Sequence, residues 1–143
     1  EYVDTDGQKK TPYIIHRTSI GCYERPLALM LEKFAGALPI WIAPEQVRLL
    51  PVTDRAAERC QELEKVMKAA GLRVSTDLRS EKIGYKIREA QMEKIPFMLI
   101  IGDKEVEDGA VAPRSRANGD LGSMSVEEFL SMIRTKISEF AAD

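Results

Sequence analysis

From residue 47 onward, short apolar runs alternate with segments whose apolar residues recur every three or four positions, and that alternation leaves few architectures open. "VRLLPV" has the length of a strand. In "DRAAERCQELEKVMKAAG", Ala56, Cys60, Leu63, Met67 and Ala70 fall on one helical face, with Asp54 placed to cap the start and Gly71 to stop the end. "LRVSTDL" predicts a second strand. "SEKIGYKIREAQMEK" predicts a second helix, with Ile83, Ile87 and Ala90 on a shared side and Pro96 ending it. "FMLIIG" is a third strand and the most deeply buried candidate. "KEVEDGAVAPRSR" reads as two strands joined across "EDG", because Asp-Gly favours hairpin turns. "SVEEFLSMIRTKISEF" predicts a last helix, with Ser125 and Glu128 as a capping box and Val126, Phe129, Ile133, Ile137 and Phe140 as its inner stripe.

That order predicts an α/β three-layer domain over residues 47–143, with a five-stranded mixed sheet and three helices. The sheet starts parallel, through βαβ crossovers, and finishes with an antiparallel hairpin. Ligands meet such sheets at the loops beyond the carboxyl ends of the strands, here "TDR", "DLRSEKIG" and "GDKEVEDG". Ahead of this domain, residues 1–12 read as a polar hairpin and "YIIHRT" as a strand. A helix follows in "SIGCYERPLALMLEKFAG", where Leu27, Met30, Leu31 and Phe34 recur at helical spacing, Pro26 is tolerated in the first turn and Gly36 ends the run. Residues 1–38 thus form a strand–helix unit, joined through a stiff linker, residues 39–46, that is rich in proline and carries a tryptophan.

Composition narrows the function. The formal net charge is −2, which disfavours binding nucleic acid by bulk charge but leaves a locally basic RNA reader open. No apolar run approaches the ~20 residues that span a bilayer, so no membrane partner is expected. The polar start carries no signal-peptide pattern, and the lack of an initial Met predicts a piece of a longer chain. Two distant cysteines, Cys22 and Cys60, point to a reducing, cytoplasmic setting. With a single histidine they cannot close a four-ligand zinc site on familiar spacing. G-x-S-x-G, P-loop, G-x-G-x-x-G, H-E-x-x-H and calcium-loop patterns are absent, so the piece alone is not expected to be an enzyme.

The most basic segment is "DLRSEKIGYKIRE", where Arg79, Lys82, Lys86 and Arg88 face Asp77, Glu81 and Glu89. Ser80 stands where the strand hands over to the helix, placed either to cap it or to bond a ligand. A solvated, capped helix face explains any one of these residues. Arg114 and Arg116 share a side of an expected edge strand, where charge blocks aggregation. Convergence shifts the balance. Ser80, Glu105 and Arg114 come from three separate segments expected to meet at one end of the sheet. A guanidinium pairs with guanine O6 and N7, a carboxylate accepts from base N–H groups, and unpaired bases are how RNA sequence is read.

With those residues in place, the chain resembles the C-terminal part of class II threonyl-tRNA synthetases over nearly its whole length. The carriers are "HRTSIGCYERP", "W-x-A-P-x-Q-V", "EKIG-x-KIRE" and "GDKEVE". The resemblance implies that residues 1–38 hold the motif 3 strand and helix of a catalytic domain and that residues 47–143 are its anticodon-binding domain. It implies that Arg25 is the catalytic motif 3 arginine, stacked on the adenine of ATP, with Cys22 beside it in the ATP pocket. It implies that His16 is one of three ligands of a zinc that recognises threonine, the other two lying upstream, so that this chain alone does not hold zinc tightly. Ser80, Glu105 and Arg114 are implied as base readers of the tRNA(Thr) anticodon, with Lys82 and Lys86 as phosphate contacts. The whole enzyme is implied to attach threonine to tRNA(Thr) with ATP and Mg, and to dimerise through its catalytic core, leaving this piece monomeric. Two other readings stand beside this one. Synthetases for proline, histidine or glycine share the architecture, and non-catalytic interaction modules borrow the fold.

Overall fold

The computed structural model describes residues 1–141. Its first strands, β1 (Tyr2–Val3) and β2 (Lys9–Lys10), form the expected polar hairpin, turned by Gly7 at φ +74°. The strand expected in "YIIHRT" is absent: residues 11–18 make no ladder, and Tyr13, Ile14 and Ile15 are exposed. Alternation favours a strand only where a neighbouring strand supplies hydrogen-bond partners. Helix α1 (Glu24–Lys33) forms where predicted but buries no residue fully, and Leu27 and Leu31 face solvent.

The main sheet is built from β3 (Val47–Pro51), β4 (Val74–Thr76), β5 (Phe97–Ile101), β6 (Ala110–Ser115), β7 (Gly119–Asp120) and β8 (Met124–Ser125). The strand order is β4-β3-β5-β6-β7, with β8 also on β6. β3 pairs parallel with β4 and β5, and β6 runs antiparallel to β5, so the parallel start and antiparallel finish are as read from the sequence. One strand more than expected is present, and β6 is no edge, because β7 and β8 pair beyond it.

Four helices rather than three accompany this sheet: α2 (Asp54–Ala69), α3 (Ile83–Met92), α4 (Asp103–Asp108) and α5 (Val126–Ser138). The additional one, α4, replaces the first strand of the expected hairpin. Asp103 and Glu105 sit in its first turn, where carboxylates favour a helix N-terminus, and the Glu105 side chain accepts from Gly102 N at 2.9 Å. Gly109, at φ +65°, then closes the helix in the left-handed conformation, where the sequence predicts a hairpin turn. Thr53, not Asp54, caps α2, its hydroxyl accepting from Ala56 N. α3 ends at Met92, with Lys94 left-handed at φ +59° before Pro96 is reached. Ser125 and Glu128 form the expected capping box of α5. Phe140 lies outside its buried stripe and is exposed, its ring edge-on to Trp41.

The two faces of the sheet differ. Val47, Leu49, Phe97, Leu99, Ile101 and Val111 join Cys60, Leu63, Met67, Phe129 and Ile133 in one dry cluster under α2 and α5. The opposite face carries a smaller cluster, Leu50 and Met98 against Ala90 and Ile95, with Ile83 and Ile87 of α3 packed on it.

Candidate nucleic-acid interface

The carboxyl ends of β3, β4 and β5 open on one rim. There, Pro51, Val52, Thr53, Asp54, Ser80, Glu81, Lys82 and Lys86 line a cleft of about 320 Å³. Thr53 ties this cleft to α4: its hydroxyl donates to Asp103 Oδ1 at 3.0 Å while accepting at the start of α2. Sequence reasoning missed Thr53, although "VTD" at a strand–helix junction carried the signal, since threonine caps by hydroxyl as readily as aspartate by carboxylate.

Each expected site residue has a definite place. Ser80 is exposed in the cleft and does not cap α3, whose N-cap is Lys82, with no side-chain cap bond. The partly positive end of α3 therefore faces the cleft without an acceptor from its own cap residue. Lys82 is exposed beside it. Lys86 departs from expectation: it is buried, and its ammonium donates to the Asp77 carbonyl at 3.0 Å. An ammonium bound inward to a backbone carbonyl is a structural group, so Lys86 is not an exposed phosphate contact.

Arg79 is similarly committed. It donates to both carboxylate oxygens of Asp77, at 2.9 and 2.7 Å, and also to Glu89. The Arg79 guanidinium holds the Asp77 carboxyl below its ordinary value, with burial opposing. Of the four cations in the basic segment, two are thus used within the fold, and Lys82 and Arg88 remain as exposed charges.

Glu105 is half-buried at the same rim, one carboxylate oxygen bound to Gly102 N. A Cβ on Gly102 would lie 3.0 Å from that oxygen, so any larger residue there would push the Glu105 carboxylate aside by a few tenths of an ångström. Arg114 does not stand on the rim. It pairs with Met98, three residues back from the end of β5, or about 10 Å at the rise of a strand. The reason is polarity: β6 starts at the rim with Ala110 and runs away from it. Register gives a row across the sheet, Ser75, Arg48, Met98, Arg114, Asp120, all on the face that α3 covers over β3. Arg114 is half-exposed, and its guanidinium makes no hydrogen bond or ion pair among the described residues.

The remaining expected residues lie in the first unit. Arg25 is exposed in the first turn of α1 and Cys22 is half-buried just before it. His16 is exposed, and among the described residues no group of three or more His, Cys, Asp or Glu is placed to hold a metal ion. Both cysteines are free, and burial pushes the Cys60 thiol up to about 12, out of reach as a nucleophile. The rim offers directional donors and acceptors, suited to binding a polar ligand.

A family model described as "Anticodon binding domain" matches residues 46–136. The threonine-tRNA ligase of Clostridium perfringens (strain 13 / Type A) is 52% identical over 137 residues, covering 96% of this chain and 21% of that protein. The threonine-tRNA ligase of Clostridium novyi (strain NT) is 48% identical over 138 residues, covering 96% of this chain and 22% of that protein. The chain thus spans about a fifth of the length of these curated relatives. Among solved structures, the RNA binding domain of threonyl-tRNA synthetase from Cryptosporidium parvum superposes with a TM-score of 0.75 at 29% identity, over 79% of this chain and 28% of that one. The prolyl-tRNA synthetase of the same organism superposes with a TM-score of 0.64 at 28% identity, over 71% of this chain and 23% of that one.

Proposed function

Because this chain belongs to the anticodon-binding-domain family, we propose that it is the anticodon-reading part of a threonyl-tRNA synthetase, binding the tRNA(Thr) anticodon loop across the rim and the open sheet face. The observation that carries this reading is Arg114: a half-exposed guanidinium without a partner among the described residues. It supplies the paired donors that guanine O6 and N7 accept. Arg114 lies about 10 Å along the strand direction from the rim that carries Glu105 and Ser80, so the two places would meet different bases. Arg114 therefore reads one base, the guanine at the second anticodon position, and the rim pair a neighbouring one. Lys82 and the uncapped end of α3 hold the connecting phosphates.

The whole protein, on this reading, attaches threonine to tRNA(Thr) with ATP and Mg in the cytoplasm, as a homodimer. Arg25 would supply one edge of its ATP site and His16 one of its zinc ligands. Both sites need residues from outside this chain.

Binding to anticodon stem–loops for threonine, proline, histidine and glycine tests the proposal. The threonine stem–loop binds tightest, and Arg114→Ala costs ~1–3 kcal/mol and relaxes discrimination at the second base. Equal affinity for all four RNAs, or equal binding by wild type and variant, would sink it. Lys82→Ala weakens every RNA alike and flattens the salt dependence.

A further inference from the structure

The segment between α1 and β3 has no regular secondary structure, yet side chains of the main domain capture its carbonyls one after another. Lys94 Nζ donates to Ala35 O, and Arg116 Nη2 to Leu38 O at 3.2 Å. Gln46 Nε2 donates to Ile40 O at 2.9 Å. Arg73 spans two more, with Nη2 to Trp41 O at 3.1 Å and Nε to Ala43 O at 2.7 Å. Gln46 is itself buried, and its carbonyl oxygen accepts from Arg73 N at 2.9 Å, so both ends of its amide are used.

Apolar packing agrees with the polar contacts. Ile40 is 1% exposed and belongs to the dry cluster under α2 and α5, and Ala43 is buried as well. The family model begins only at residue 46, downstream of both. A chain leaving the domain as a tether would show solvated carbonyls and exposed side chains. Here, charged donors fix the carbonyls, and charge-assisted bonds are stronger and more directional than neutral ones.

We propose that residues 35–46 are a rigid mount belonging to the folding unit of the main domain, and that Arg73 and Arg116 are positioning residues that set the angle between α1 and the sheet. Arg116 also donates to the backbone carbonyl of Lys94 at 2.7 Å, so one guanidinium ties the start of the segment to the backbone that carries the Lys94 side chain. Its own N–H continues the β5–β6 ladder to Pro96 O at 2.9 Å, two residues beyond Arg114. The pin of the mount and the open sheet face therefore share one short stretch of backbone. This inference stands without the functional reading above.

Trp41, the chain's one tryptophan, lies inside the mount with its ring edge-on to Phe140 at 5.4 Å, and its fluorescence reports docking directly. Two measurements on the intact chain test the proposal. In the wild type, the amides of Ile42, Ala43 and Gln46, bonded to Pro39 O and Arg73 O, exchange with solvent as slowly as those of β3 and β5. In the Arg73→Met/Arg116→Met variant, acrylamide quenching of Trp41 rises about threefold or more while β3 and β5 amides stay protected. Arg73→Lys, which reaches one carbonyl instead of two, gives an intermediate rise. Wild-type mount amides that exchange ~100-fold faster than β3, or quenching unchanged in the double variant, would overturn the proposal. If the double variant does not fold, the wild-type exchange decides alone.

Discussion

One face of the sheet is dry and the other is half wet, and the contrast divides stability from recognition. Under α2 and α5, inward residues of β3, β5 and β6 meet apolar side chains with almost no solvent contact. On the α3 side, β3, β4 and β6 present Arg48, Ser75 and Arg114, and the packed cluster is small. Arg48 is held there by Glu45 at 2.8 and 2.6 Å and by Glu93 at 2.6 Å, a network that satisfies its charge where the side chain is largely buried. The period of a strand is two, so each strand serves both purposes with alternate residues.

The sharpest way to break this division is Phe129→Ala. Phe129 is fully buried and edge-on to Phe97 at 5.9 Å, so its loss should cost ~3–5 kcal/mol in denaturant unfolding. A loss below ~1 kcal/mol would mean that the dry face does not carry the stability. Thr53→Ala removes the cap of α2 and the link to Asp103 and should cost ~1 kcal/mol, measured in the same way.

Acid should act on the polar side and leave the dry cluster unaltered. Burial alone would raise Glu45, but hydrogen bonds from Arg48 and Ser75 hold it below its ordinary 4.5; Arg79 holds Asp77 below 3.8. A carboxyl lowered on folding adds stability that is complete above its unfolded value and fades as pH falls through the folded one. Unfolding midpoints should therefore be flat from neutrality to about pH 5 and decline below it, less steeply in Glu45→Gln. The smallest effect on stability is expected from Arg114→Ala, within about 0.5 kcal/mol, because its guanidinium has no partner among the described residues to lose. A larger loss would assign Arg114 to the scaffold and remove it from the RNA face.

Much of the fold was legible because it rests on local rules. The apolar period of α2, the capping box of α5 and the crossover lengths that make β3, β4 and β5 parallel all lie within short windows. The "KEVEDG" segment failed because Asp-Gly closes a helix as readily as a hairpin, and only the neighbouring Gly102–Glu105 bond selects between them. "YIIHRT" failed because a strand needs a partner that no local pattern can supply.

The candidate site divides in the same way. Ser80, Lys82 and Glu105 follow from loops at strand ends, and such loops could be located from the order of elements. The sequence alone settled which residues are polar, where α5 begins and that the sheet turns antiparallel after β5, since each depends on near neighbours. Tertiary structure decided that Lys86 turns inward, that Arg79 is neutralised, and that Arg114 stands about 10 Å from the rim. Those outcomes depend on which distant carbonyl, carboxylate or strand a side chain meets after the chain has closed on itself, and no spacing along the chain encodes that distance.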